Sequence, residues 1–342
     1  MRYVLEPMLF ALDENCSEKE FKNFVKRIIR WERWLEEHPD DVYMLSSTEE
    51  ILSNKMAYPV YPLFQKMMDK YKVTYVKACD LNKSISKLLR ETKKIDTIDG
   101  CSIINDAIVT NVELRADSNG LQVCSEGRDS LGDILWSVYC RTKTEGEKAD
   151  TYLVFAKNLS DKVTLNVKYK TIEDDKEDYV DNEASVTIKC HSSLKDFFSN
   201  ENTPDTILSN VQKKKDLQLA LRVSIYQKGG LNKWADAFDN FKFTIQDSFY
   251  KDYCDAHYAD NTTIKNRLMD EMSNVMLNRH LSQREDWRVD KGGNAGQLCK
   301  NGYLAWRWFV TQSVKMMYWQ NAGDYKFANV KEHDIFVCQW EN

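Results

Sequence analysis

The residues best suited to chemistry lie in the C-terminal part of this 342-residue chain, where cations alternate with tryptophans. Five of the nine tryptophans fall within the last 56 residues. From Asn278 to Gln320, seven Lys and Arg residues stand against three acids, so this stretch carries +4 in a chain whose net charge is −5. Lys and Arg pair with phosphates, and flat rings stack on unpaired bases. The pattern therefore predicts a surface that binds RNA, and DNA through the same contacts.

Seven residues of this stretch are the predicted nucleic-acid contacts. They are Arg279, Arg284, Arg288, Lys291, Trp306, Trp308 and Lys315. The two tryptophans also flank Arg307 with the two-residue period of a half-buried strand, a pattern that fits rings in a protein core. The sequence leaves both assignments of these rings open.

The order of elements in the last 97 residues or so is two helices, a cationic loop and four predicted strands, YLAWRWFV (303–310), SVKMMYWQ (313–320), DYKFANV (324–330) and HDIFVCQW (333–340). The segments GYLAWRWFV (302–310), VKMMYW (314–319) and YKFANVKEHDIF (325–336) carry a likeness to a known family. This arrangement resembles the RelE/ParE toxin superfamily. In the RelE branch of that family a small antiparallel sheet cleaves RNA, on the ribosome or free, and the ParE branch acts on other targets. The resemblance implies a toxin-like domain that acts on RNA.

The resemblance also places three catalytic residues. Arg307 falls on the strand where the family carries an arginine near the scissile phosphate, Tyr318 on the next strand, and His333 near the start of the last one. RNA cleavage needs a base for the 2′-hydroxyl proton, charge stabilisation at the phosphate and an acid for the leaving oxygen. His333 suits the acid or the base, and Arg288 and Lys291 suit the phosphate beside Arg307. Such a mechanism needs neither metal nor cofactor.

Upstream of this segment, residues 1–98 are predicted to form a mainly helical domain. Ser17 and Glu20 have the spacing of a capping box ahead of an apolar stripe at helical period that ends near Leu35. The segment KVTYVKA (72–78) has the composition of a strand. Helices are expected on both sides of it.

Residues 99–245 are predicted to form a β-rich central domain, because β-branched and aromatic residues recur there with partial alternation. The predicted strands are IVTNVELRA (108–116), TYLVFAK (151–157), VTLNVKYK (163–170), ASVTIKC (184–190) and LQLALRVSIY (217–226). Residues 246–342 are predicted to form a helix hairpin followed by an antiparallel sheet. The whole chain is therefore expected to be α+β, in three parts.

Two metal-dependent nuclease patterns compete with this assignment. Asp13, followed by Glu49 and Glu50, resembles a PIN-type ribonuclease, which gathers acids around Mg²⁺ or Mn²⁺. The same acids suit surface and capping positions beside helix N-termini. A restriction-type core would use Asp150, but Asn166 stands where the second carboxylate is needed, and an amide is a poorer ligand for a hard cation. We therefore predict no metal site.

Composition restricts the compartment and the partners. The nine cysteines are scattered without a CxxC pair, and the five histidines lie far apart, so a disulfide framework and a structural zinc are both unexpected. The sequence has no apolar run of about 18 residues, so no membrane partner is predicted. A reduced cytoplasm is the expected location. An inhibitor or other protein partner encoded nearby would suit a toxin-like domain.

These features predict an RNA-acting effector of the toxin or antiviral-defence type. Its C-terminal domain would be a metal-independent endoribonuclease, and the first 245 residues would sense a trigger or restrain the nuclease. The alternative is a non-catalytic binding or scaffolding subunit whose aromatic C-terminus is a protein interface, since Trp, Tyr and Arg are enriched at binding hot spots.

Overall fold

The computed structural model describes residues 1–97, 107–117, 129–146, 151–172, 179–233, 236–258, 260–288, 296–332 and 340. Helices and two mixed sheets make up the described chain, so the predicted α+β class is confirmed. The chain divides into two compact units, Met1–Asp196 (unit 1) and Phe197–Asn342 (unit 2).

Unit 1 is organised around one seven-stranded sheet of order β3-β2-β1-β5-β7-β6-β4. The pairings from β3 through β2, β1 and β5 to β7 are all parallel. The pairings of β7 with β6 and of β6 with β4 are antiparallel. The strands are β1 (Arg2–Leu5), β2 (Val42–Met44), β3 (Lys93–Lys94), β4 (Ile108–Ala116), β5 (Tyr152–Phe155), β6 (Lys162–Ile172) and β7 (Tyr179–His191).

The described helices of unit 1 bury apolar side chains, and the first and the fifth of them pack against this sheet. The helices are α1 (Glu18–Glu37), α2 (Thr48–Asn54), α3 (Tyr61–Tyr71), α4 (Ala78–Glu91) and α5 (Asp129–Glu145). In α1, Trp31 lies edge-on to Phe155 of β5, with ring centroids 4.8 Å apart, and Trp34 lies edge-on to Tyr3 of β1 at 5.2 Å. The helix thus crosses the two central parallel strands.

The predicted capping box at the start of α1 is confirmed. The Ser17 hydroxyl accepts from the Glu20 N–H at 3.3 Å, and the Glu20 carboxylate accepts from the Ser17 N–H at 2.8 Å. Two of the four N–H groups that every helix N-terminus leaves unpaired are satisfied in this way.

We expect Ser17→Ala to lower the free energy of unfolding by about 1 kcal/mol, because the alanine cannot accept from the Glu20 N–H. Urea unfolding measures the change, and amide exchange in the first turn of α1 locates it. The matched control is Ser53→Ala. The Ser53 hydroxyl donates to the Glu49 carbonyl within α2, and this hydrogen bond contributes little to stability. Equal losses in the two variants would contradict the capping role.

Unit 2 combines helices with a second mixed sheet of order β10-β11-β12-β13-β8, in which β9 also pairs with β11. Its strands are β8 (Lys242–Ile245), β9 (Arg284–Asp286), β10 (Cys299–Lys300), β11 (Tyr303–Phe309), β12 (Val314–Asn321) and β13 (Asp324–Glu332). Its helices are α7 (Thr203–Leu208), α8 (Lys214–Gly229), α9 (Asp236–Asp239), α10 (Asp247–Asp255) and α11 (Thr262–Met276); α6 (Leu194–Ser199) contains the boundary between the units.

The structure groups the chain differently from the three predicted domains. Strands β1 to β3, which precede position 98, share one sheet with strands β4 to β7, because β1 pairs with β5. The predicted strand 217–226 lies inside helix α8, which is a correction. Strand β8, placed before the predicted boundary at 246, pairs with β13 in the C-terminal sheet. The segment 72–78 forms no strand: residues 72–77 lie between α3 and α4, and Ala78 begins α4.

Candidate nucleic-acid interface

The C-terminal sheet has two chemically different faces, which the pairing of β11 with β12 defines. Trp306 lies opposite Tyr318, and Arg307 lies opposite Met317. Because cross-strand partners share a face and neighbours along a strand alternate, Trp306 and Tyr318 lie on one face and Arg307 on the other.

The first face is buried against helices. Trp308 is fully buried, and its indole N–H donates to the Glu271 carboxylate of α11 at 3.1 Å. Phe327 of β13 packs against Phe249 of α10, with ring centroids 6.0 Å apart. Tyr318 is 1% exposed, and burial raises the pKa of its hydroxyl well above the usual range. These side chains form the core of unit 2.

The three predicted catalytic residues are not brought together within the described chain. Arg307 and Tyr318 lie on opposite faces of the sheet, so one substrate phosphate cannot contact both. His333 lies outside the described residues. A buried phenol with a raised pKa is also poorly placed to exchange protons with a substrate. A catalytic role for Arg307 or His333 stays a prediction.

The second face carries cations that lie over aromatic rings, and we call it the cationic aromatic face. Among the described residues, its cations are Lys300, Arg307, Lys315 and Lys326, and its partly exposed rings are Trp287, Tyr303, Phe309 and Trp340. Trp319 on the same side is fully buried, and Trp287, Tyr303 and Trp340 pack against the cluster that contains it. The Lys326 ammonium lies 4.3 Å from the centre of the Trp340 ring, and the Arg307 guanidinium lies 5.4 Å from that of Phe309. The Lys300 ammonium lies 5.7 Å from the centre of the Trp340 ring, and the Lys315 ammonium lies 5.7 Å from that of Phe309. Each of the four cations therefore has an aromatic support.

Two acids lie on the same face and partly offset this charge. The Glu285 carboxylate on β9 accepts from Nε of Arg307 at 3.1 Å and from its Nη2. Asp324 accepts from the Tyr303 hydroxyl at 2.5 Å. Among the described residues, four cations against two acids leave the face positive. The Arg307–Glu285 pair is partly exposed, so it contributes little to stability.

The other predicted contacts are spread over several surroundings. Arg284 stacks on Trp306 with its guanidinium 3.8 Å from the ring centre, on the same side of the sheet as Trp308. Arg288 lies 3.7 Å from the Asp286 carboxylate, and Arg279 is exposed just after α11. Lys291 lies outside the described residues. Of the predicted contacts that the structure describes, Lys315 belongs to the cationic aromatic face, while Trp308 is a core residue.

Sequence reasoning missed several members of this face as binding residues, chiefly Lys326, Lys300 and Tyr303. Alternation along β11 places Tyr303, Ala305, Arg307 and Phe309 on one side, so that part of the signal is present in the sequence. The register between strands cannot be read from the sequence, and this register places Lys326 opposite Trp319.

The alternative nuclease patterns gain no support from their surroundings. The Asp13 carboxylate accepts from the Asn15 N–H at 2.7 Å, and Glu49 and Glu50 lie in the first turn of α2. Lys168 pairs with Glu183 across β6 and β7 at 2.7 Å. Asp150 lies outside the described residues. Within the described ranges, His, Cys, Asp and Glu side chains form no group of three or more that could hold a metal ion.

No family model matches the chain, and neither a curated protein nor a solved structure does. The resemblance to the RelE/ParE superfamily therefore stays a prediction. Among the described helices, none is long and apolar enough to cross a membrane.

Proposed function

We propose that this protein is a nucleic-acid-acting effector that binds single-stranded RNA on the cationic aromatic face. The observation that carries the proposal is that each of its four cations lies over a ring of the same face. A ring holds the charged group in place by the cation–π attraction, and the N–H groups of Lys and Arg donate to phosphate oxygens. Ring surfaces beside these cations supply stacking platforms for unpaired bases.

RNA cleavage is the activity we propose for the bound strand. Arg307 is the residue of this face best suited to stabilise charge at the phosphate, because its guanidinium offers several donors in one plane. Its partner Glu285 accepts from Nε and one terminal nitrogen, and among the described residues no acceptor contacts the other terminal nitrogen. His333 would act as acid or base, and unit 1 would sense a trigger or restrain the activity.

The binding proposal predicts the behaviour of a double variant, Lys315→Ala with Lys326→Ala. The slope of the logarithm of the RNA-binding constant against the logarithm of the salt concentration should become shallower by about 1.4, because each phosphate contact on a single strand contributes about 0.7. Affinity should fall about tenfold at low salt. Fluorescence anisotropy with a 5′-labelled single-stranded RNA and the full-length protein measures both quantities.

The matched control is Lys228→Ala with Lys251→Ala, which removes the same charge from helices of unit 2. Lys228 pairs with Asp270 at 2.7 Å, and Lys251 is exposed. We expect this variant to bind RNA like the unchanged protein. An equal loss in both double variants would show that net charge and not this face determines binding.

The cleavage proposal is tested with the same RNA in EDTA, comparing the unchanged protein with Arg307→Ala and His333→Ala. Cleavage that persists in EDTA and is lost in both variants supports a metal-independent ribonuclease. Cleavage that requires Mg²⁺ or Mn²⁺ contradicts it. Failure to bind RNA, together with capture of a protein partner that the Lys315/Lys326 variant loses, would favour the scaffolding alternative.

A further inference from the structure

A second cationic site lies in unit 1, at the carboxyl ends of its parallel strands. Strand β1 pairs with β2 on one side and with β5 on the other, and the chain runs from β1 through α1 to β2. This is a topological switch point, the place where open parallel sheets bind ligands. Glu6 joins the two strand ends there, because its N–H donates to the Phe155 carbonyl and its carboxylate accepts from the Lys157 N–H, both at 2.9 Å.

Two adjoining cavities open beside these strand ends. One has a volume of about 400 Å³ and is lined by residues 11–16, the first half of α1 and residues 157–158. The other has about 350 Å³ and is lined by α1 and residues 192–195. They share Asn23 and Arg27, so we treat them as one cationic cavity. The combined space is in the range of natural small-molecule sites.

Among the described residues, five cations and two carboxylates line the cationic cavity. The cations are Lys26, Arg27, Arg30, Lys157 and Lys195, and the acids are Asp13 and Glu20. Both acids are already used locally, since Asp13 accepts from the Asn15 N–H and Glu20 completes the capping box of α1. Positive charge therefore exceeds negative charge in a confined space.

Arg27 is the cation that lines both parts of the cationic cavity. Its Nε is buried and has no hydrogen-bond acceptor among the described residues, and its guanidinium lies 5.6 Å from the centre of the Phe24 ring. Burial lowers the pKa of Arg27 to about 10. Burial also lowers the pKa of Lys157, and the positive charge of Arg27 lowers it further. Two mutually repelling cations held in low dielectric are stabilised by an anion placed between them.

We propose that the cationic cavity binds a phosphorylated small molecule of nucleotide size, with a phosphate group on Arg27 and Lys157. A multivalent phosphate fits a surplus of cations better than a single carboxylate does, and Arg presents the planar donors that phosphate oxygens accept. The site lies in unit 1, so it is independent of the RNA-binding face proposed for unit 2.

The test measures thermal unfolding and calorimetric binding of the full-length protein with inorganic pyrophosphate, ATP and adenosine. Pyrophosphate and ATP should raise the Tm of the unchanged protein, because both bind the folded state alone. Arg27→Met should weaken ATP binding about tenfold or more, the loss expected for one charge-assisted phosphate contact. The matched control is Arg33→Met, whose guanidinium pairs with Glu37 on the exposed side of α1 and should leave binding unchanged.

Lys157→Met provides a second route to the same answer if Arg27→Met does not fold. It should weaken ATP binding to a similar degree, because both cations are placed on one phosphate. A Tm that neither pyrophosphate nor ATP raises would overturn the proposal. So would ATP binding that both substitutions leave intact, or adenosine binding as tight as that of ATP, because recognition would then not involve the phosphate.

Discussion

Trp308→Ala should lower the free energy of unfolding of unit 2 by about 3–5 kcal/mol, the range for removing a large aromatic side chain from a core. Trp308 is fully buried on the helix-covered face of the C-terminal sheet. Its indole N–H also donates to Glu271, a carboxylate that is itself only 7% exposed. The substitution would leave both a cavity and a buried acceptor that has lost a donor. Amide exchange of peptides from residues 303–332 in the full-length protein measures the loss.

Two further variants separate the causes of this loss. Trp308→Phe keeps most of the ring volume but removes the donor to Glu271, so we expect a smaller loss of about 1–3 kcal/mol. Trp306→Ala, at a half-buried ring on the same face, should also cost less than Trp308→Ala. If Trp308→Ala unfolded no more readily than Trp306→Ala, the assignment of Trp308 to the core would be wrong. Any loss of RNA binding in Trp308→Ala would follow from unfolding.

Unit 1 should lose about 2 kcal/mol of stability between pH 7 and pH 5 through one histidine, His191 at the end of β7. His191 is 4% exposed, and burial lowers its pKa to about 4 despite the Asp196 carboxylate 3.6 Å from Nδ1. The unfolded chain takes up a proton near pH 6.5, whereas the folded protein takes it up only near pH 4. Between these values the unfolded state binds more protons, so stability falls as the pH falls.

Urea unfolding of unit 1 at pH 7 and pH 5 tests this prediction. The glutamine that replaces His191 cannot titrate in this range. The loss of stability from pH 7 to pH 5 should therefore be smaller in the His191→Gln variant than in the unchanged protein, by about 2 kcal/mol. Taking the difference between the two proteins removes the contribution of carboxylates common to both. Equal pH dependence in both proteins would show that His191 is already charged or exposed in the fold.

Local signals in the sequence predicted many elements of this fold. The capping box of Ser17 and Glu20 marks the start of α1, because its two hydrogen bonds involve residues only three apart. Strands β4 to β7 coincide with segments rich in β-branched and aromatic residues. The three long strands of the C-terminal sheet were also predicted, and they form an antiparallel meander.

Helix α8 shows why the segment 217–226 was mistaken for a strand. Seven of the ten residues from 217 to 226 are buried, on every side of the helix, so this segment lacks the polar stripe of an amphipathic helix. Val223, Ile225 and Tyr226 then supply a composition typical of strands. Periodicity does not distinguish a fully buried helix from a buried strand.

The candidate sites depended on pairings that no local signal contains. The C-terminal segment was located from its charge and its tryptophans, but the register between β11 and β12 separates Arg307 from Tyr318. The sequence does not indicate the cationic cavity, because Lys157 and Lys195 lie far along the chain from the three cations of α1. Arg27 and Lys157 become neighbours only because β1 and β5 pair, and that pairing joins residues 150 positions apart, such as Arg2 and Tyr152.

The central position of β1 has a consequence for how the chain folds during synthesis. Residues 2–5 leave the ribosome before both of their partner strands; β2 follows within about forty residues, but β5 does not emerge until residue 155. Until then one edge of β1 stays without its neighbour, and pairings this distant in sequence form slowly. A growing chain of unit 1 therefore exposes an apolar strand edge for most of its synthesis, the period in which a chaperone would protect it from aggregation.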